Sequence, residues 1–169
     1  MSRTVTFLVT LLALLIVGQR ASAQQYDVSF KSFAGKFVVA ENGGGGAVKA
    51  NRDEIGPWER FTIIDLNGGK LVSGDVVNIK SVNGLYMVAE NGGGGVVHAD
   101  RTAAGPWEKF TIIRFAGHGV IRNGDTIVLQ ANNDHYVVAE NADDGVVNAN
   151  RREIGPWEKF TIIVNGQDR

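Results

Sequence analysis

The chain has 169 residues, 44% apolar and 21% charged, which fits one folded domain of ordinary size and excludes a disordered chain. Its formal charge is −1, with 17 basic side chains against 18 acidic ones and no basic stripe, which argues against a nucleic-acid partner. There is no cysteine, so neither disulfides nor thiol chemistry enter the account.

The first 23 residues read as a secretory signal peptide. Arg3 supplies the positive region, Phe7 to Val17 a short apolar run, and Ala21-Ser22-Ala23 a small-x-small cleavage pattern. The apolar run is short of the roughly twenty residues a membrane-spanning helix needs, so no stable membrane insertion is expected after cleavage. Gln24 would begin the mature chain, whose charge becomes −3 because Arg3 and Arg20 leave with the peptide and no acid does. Localisation is therefore expected to be secreted or periplasmic.

Residues 24–169 form one domain written three times, in units of about 26–73, 74–123 and 124–169. The signature is Gly56-Pro57-Trp58-Glu59-Arg60-Phe61-Thr62-Ile63-Ile64, repeated from Gly105 and again from Gly155. Each unit reads as four short strands and no helix. The first alternates, with Val28, Phe30 and Ser32 on one face and Ser29 and Lys31 on the other; Val77, Ile79 and Ser81 oppose Asn78 and Lys80 in the second copy. The second strand, Phe37-Val38-Val39-Ala40 and its copies, is rich in β-branched and aromatic residues.

Glycine turns follow at Asn42-Gly43-Gly44-Gly45-Gly46 and Asn91-Gly92-Gly93-Gly94-Gly95. They predict tight hairpins whose backbone a ligand can approach closely. Val48 and Ala50 of the third strand face one way, while Lys49, His98 and Asn148 occupy an outward site. The fourth strand points Phe61 and Ile63 inward and follows Pro57, where a missing N–H is tolerated.

Twelve short strands in three like units must share a core. The expected architecture is all-β: a β-trefoil with pseudo-threefold symmetry, in which first and fourth strands form a six-stranded barrel and the glycine-turn hairpins cap one end. A three-bladed propeller is the alternative, with a poorly filled axis.

The run from Phe37 to Gly46, continuing through Ala50-Asn51-Arg52 to Gly56-Pro57-Trp58-Glu59-Arg60-Phe61, resembles the fascin-like β-trefoil domain. The second copy resembles it equally, and the third departs at Ala142-Asp143-Asp144. The resemblance implies the trefoil fold and two kinds of partner. One is actin, bundled by family members that chain four trefoils. The other is carbohydrate, bound by accessory domains of secreted glycoside hydrolases. A signal peptide and a single trefoil favour carbohydrate over actin. The Gln-x-Trp element of ricin-type lectins is missing, so no sugar-contacting residues transfer from that family.

Glu41, Glu90 and Glu140, with Glu59, Glu108 and Glu158, offer the paired carboxylates of glycoside hydrolysis. Their recurrence in every unit points instead to a structural task shared with Arg52, Arg101 and Arg151. Trp58, Trp107 and Trp157 are expected in the core beside Phe61, Phe110 and Phe160, each indole N–H bonded to backbone. Phe37, Tyr86 and Tyr136 are the expected sugar-stacking rings. The candidate ligand-binding set is Phe37, Glu41, Asn42, Tyr86, Glu90, Asn91, His98, Tyr136, Glu140 and Asn141.

His98, His118 and His135 show no metal-ligand spacing, so no metal or cofactor is expected; Asp143 and Asp144 leave a cation open. The function expected is a non-catalytic binding module for a carbohydrate polymer or glycan. The alternatives are an actin-binding protein and a protein–protein or inhibitor module.

Overall fold

The computed structural model describes residues 23–140 and 145–165. The signal-peptide expectation falls almost wholly outside these residues, as do Asn141, Asp143 and Asp144. Twelve strands follow in order. The first unit holds β1 (Gln24–Ser32), β2 (Phe37–Ala40), β3 (Val48–Arg52) and β4 (Phe61–Asp65). The second holds β5 (Asp75–Ser81), β6 (Tyr86–Ala89), β7 (Val97–Arg101) and β8 (Phe110–Arg114). The third holds β9 (Thr126–Ala131), β10 (Tyr136–Ala139), β11 (Val147–Arg151) and β12 (Phe160–Val164).

The first and last strands of each unit close a barrel. β1 pairs with β4, β4 with β5, β5 with β8, β8 with β9, β9 with β12, and β12 back to β1, all antiparallel. Closure leaves no free sheet edge in the barrel. The hairpins β2–β3, β6–β7 and β10–β11 form the cap, each with a register shift at its start. This is the β-trefoil arrangement with its pseudo-threefold axis down the barrel.

The inward residues alternate as a half-buried strand requires. Phe61, Phe110 and Phe160 are buried with Ile63, Ile112 and Ile162 behind them, and Phe30 packs on Phe61 at a centroid distance of 5.8 Å. The cap contributes Val38, Met87 and Val137 to the same core.

Three expectations change. The units are not purely strand and loop, because short 3-10 turns occur at Glu41–Gly43, Pro57–Glu59, Glu90–Gly92 and Pro106–Glu108. The polar face of the first strand is not in water: Ser29 and Asn78 are buried. Each has its own cover: Asn78 Nδ2 donates to the carbonyl of Glu108 in the Pro-Trp-Glu turn at 2.7 Å, and Ser29 Oγ accepts from Asn165 Nδ2 at 3.2 Å.

The glycine turns are not open tips either. Gly45 N–H donates to Ala99 O at 2.8 Å and Ala99 N–H to Gly46 O at 2.9 Å. Gly94 and Gly95 treat Ala149 likewise, and Ala50 N–H reaches Gly145 O at 2.7 Å. Each turn is thus spent on pairing with the third strand of a neighbouring unit, which locks the three hairpins into a triangle.

Candidate functional site

The recurring charges build the same device three times. Glu59, Glu108 and Glu158 are buried, and one carboxylate oxygen of each accepts the backbone N–H of Gly56, Gly105 or Gly155 at 2.7, 2.6 and 2.7 Å. The other oxygen faces Nε of Arg52, Arg101 or Arg151 at 3.7, 3.9 and 3.8 Å. The same guanidinium then reaches Glu41 at 2.9 Å, Glu90 at 2.7 Å or Glu140 at 2.8 Å. One arginine therefore ties the cap hairpin to the turn ahead of the fourth strand. Burial draws the Arg101 guanidinium pKa down, but the charges of Asp100 and Glu90 outweigh this and hold it above its ordinary value. Charge-assisted bonds of this kind hold each carboxylate in place as an acceptor.

The tryptophans correct the expectation of a core wedge. Trp58, Trp107 and Trp157 are 43%, 42% and 39% exposed. The reason is local: within the Pro-Trp-Glu turn the inward position belongs to the glutamate, which must satisfy the Gly N–H, and the indole is turned out. The indole edges of Trp58 and Trp107 each rest on a glycine. A Cβ placed on Gly43 would lie 3.2 Å from Trp58 Cδ1 and 3.0 Å from Val82 Cγ1; one on Gly92 would lie 3.1 Å from Trp107 Cδ1. The absence of a side chain is what lets the ring settle there.

These rings stand at the seams between units. Beside Trp58 lie Val82 and Asn83 of the next unit, and Asn83 Nδ2 donates to Asn42 O at 3.1 Å. Val82 also lines a groove of 290 Å³ with Arg60, Thr62 and Lys80. The equivalent seam has Trp107 near Asn132, which lines a groove of 280 Å³ with Lys109, Thr111 and Gln130. A half-exposed indole next to a polar groove, presented twice, is a surface that can hold a ring with one apolar face and hydroxyls at its rim. A larger groove of 830 Å³ lies at the uncapped end of the barrel, where the Tyr26 hydroxyl is already committed to Gly69 O and Leu71 N–H.

The other candidates sit as follows. Phe37, Tyr86 and Tyr136 open the second strand of each unit and are half-buried. Two of their faces are covered: Lys31 Nζ lies 5.2 Å from the Phe37 centroid and Lys80 Nζ 4.4 Å from that of Tyr86. Asn42 and Asn91 occupy left-handed backbone at φ 59° and 61°, so they serve the turn. Glu41, Glu90 and Glu140 are the arginine partners described above. His98 Nδ1 lies 3.2 Å from Glu90 Oε1 and 4.0 Å from Asp100 Oδ2. Asp100 is a member the sequence reading missed; its i, i+2 spacing from His98 on one strand was the available signal. The seam of Trp with the following unit was also missed, because it joins residues about 25 positions apart.

No family model matches the sequence, and no curated protein matches it in sequence. Among solved structures, the designed threefold-symmetric protein ThreeFoil is similar with a TM-score of 0.63 at 16% identity, over 82% of this chain and 97% of that one. The SDF2-like protein from Arabidopsis thaliana gives 0.68 at 9% identity, over 84% and 94%. The Rhizoctonia solani agglutinin gives 0.61 at 15% identity, over 85% and 98%. At such identities the likeness is one of fold: the chain is a β-trefoil.

Proposed function

We propose that this protein is a secreted, non-catalytic, fascin-like trefoil that binds a carbohydrate polymer through its inter-unit seams. The observation that carries the proposal is the exposure of Trp58, Trp107 and Trp157 at equivalent places, with grooves beside the first two. A partly exposed indole keeps an apolar face open to solvent, and the apolar face of a pyranose ring can stack on it. A structural neighbour that is an agglutinin supports the same reading. The repeated carboxylates support a binding rather than a catalytic role, because each is held by an arginine or a backbone N–H common to all units. The signal-peptide pattern of Arg3, Phe7 to Val17 and Ala21-Ser22-Ala23 supports export.

Related seams on one rigid body bind a polymer with avidity, since the second contact is intramolecular. The test is a calorimetric titration of insoluble and soluble glucans, xylans and their short oligosaccharides. Trp107→Ala should weaken polymer binding by up to about thirtyfold, corresponding to about 2 kcal/mol for roughly 100 Å² of indole withdrawn from water. Equal affinity for polymer and disaccharide, or unchanged binding in Trp58→Ala and Trp107→Ala together, would refute the proposal.

A further inference from the structure

The second unit holds a cluster that its sister units lack. On β7, His98 and Asp100 stand two residues apart and present their side chains to the same side as Glu90. One ligand atom from each, including His98 Nδ1, falls within 4.8 Å of the others, and all three residues are half-buried. At the matching places the first unit has Lys49 and Asn51, and the third has Asn148 and Asn150. Among the described residues this is the only such trio.

The arginine in this cluster belongs to the fold and is not a sign that the cluster is filled. Arg101 bonds Glu90 just as Arg52 bonds Glu41 and Arg151 bonds Glu140. It also bonds Asp100 Oδ1, as Arg52 and Arg151 bond the side-chain oxygens of Asn51 and Asn150. What the second unit adds is an imidazole and a further negative charge on top of that shared frame. Three carboxylates, Glu90, Asp100 and Glu108, face one guanidinium there, against two in the third unit and two in the first, where Lys49 stands nearby. Asp100 Oδ2 is directed to the histidine rather than the arginine.

We propose that Glu90, His98 and Asp100 form a zinc site. A zinc ion bonded at about 2.0–2.2 Å to nitrogen and oxygen in tetrahedral geometry needs its ligand atoms about 3.3–3.5 Å apart. The separations of 3.2 Å from His98 Nδ1 to Glu90 Oε1 and 4.0 Å to Asp100 Oδ2 bracket that edge. The ligands also sit on rigid backbone: His98 bridges Ala47 across the cap, and Ala99 exchanges hydrogen bonds with Gly45 and Gly46. Arg101 orients both carboxylates, donating to Glu90 Oε1, the oxygen that also faces His98, and to Asp100 Oδ1 on the side away from His98, the role of an outer-shell donor. One imidazole with two carboxylates is a donor set suited to a borderline divalent ion, and the half-exposed setting leaves a fourth position for water.

The test is calorimetric titration of zinc chloride into untagged, chelator-stripped protein at pH 7.5. One equivalent should bind. His98→Asn and Asp100→Asn should each weaken it at least tenfold, and both place in the second unit a residue that a sister unit already carries, so folding is preserved. The converse variant, Asn148→His with Asn150→Asp beside Glu140, should create a second equivalent. No heat up to millimolar zinc would overturn the proposal. So would binding that survives His98→Asn and disappears with His118→Ala and His135→Ala.

Discussion

Glu108→Ala separates a structural carboxylate from a functional one. The side chain is buried, accepts the Gly105 N–H at 2.6 Å and faces Arg101 Nε at 3.9 Å. A hydrogen bond to a charged group contributes about 1.5–3 kcal/mol net, and the Gly105 N–H has no ready substitute because it lies in a half-buried turn. The loss at Arg101 is smaller, since that guanidinium keeps Glu90 and Asp100. The expected cost is therefore about 2–3 kcal/mol, which for a domain of this size lowers Tm by roughly 6–10 °C. Glu108→Gln keeps an oxygen acceptor and gives up only the charge, so it should cost about 1 kcal/mol. Thermal unfolding followed by far-UV circular dichroism measures both. If alanine and glutamine variants melt together, or both melt with the wild type, the carboxylate is not holding the turn. Polymer binding by the glutamine variant should be unchanged.

Gly93→Ala should be strongly destabilising and Gly94→Ala only mildly so. Both glycines have positive φ, 128° and 100°, but a Cβ on Gly93 would lie 2.1 Å from Asn133 Oδ1, whereas one on Gly94 meets open space. The first change displaces Asn133, whose Nδ2 holds Gly93 O at 2.8 Å, so about 2–4 kcal/mol is expected against about 1–2 for the second, read from chemical denaturation. A pH series tests Asp125, whose carboxyl is pushed up by burial but held below the ordinary carboxylate range overall by the bond from Arg114 and the N–H of Arg122. A depressed carboxyl stabilises the fold above its unfolded pKa of about 3.9 and loses that contribution as pH falls from there. Asp125→Asn should thus lower Tm at pH 6 by more than at pH 3; an equal deficit at both would refute the ion pair's role.

The trefoil was legible because its cause is written three times along the chain. Phe61, Phe110 and Phe160 alternate with outward threonines, and that period-two pattern alone places them in a barrel wall. The tryptophans were misread for a physical reason. A large aromatic between proline and a core strand looks like core, yet the turn has one inward position and the glutamate fills it to satisfy a backbone N–H. Local pattern carries no record of that competition. The glycine turns misled similarly, because their partners are strands of a neighbouring unit and no local signal announces them. Alternation points Ser29 and Asn78 outward, but the Pro-Trp-Glu turn folds over Asn78 and Asn165 reaches Ser29 from beyond the last strand.

Threefold repetition supplies its own control for assigning roles. Where the units agree, as in the arginine that ties each cap hairpin to its turn, the residue solves a problem that every unit shares. Where they differ, the fold has already shown that it tolerates the change, so a departure that gathers chemistry points away from stability. The lysines over the second-strand rings illustrate this. Lys31 and Lys80 cover Phe37 and Tyr86, but in the third unit Gln130 pairs with Tyr136 at the same register. A neutral amide does not bind an aromatic face as an ammonium does, so under the proposed function a sugar ring would meet less competition at Tyr136 than at its two counterparts. The same reasoning isolates His98 and Asp100 from the frame around them, and sets Val82 at one seam against Asn132 at the next. At this one position the first seam presents an apolar side chain and the next a hydrogen-bonding one, on rims that are otherwise polar in both.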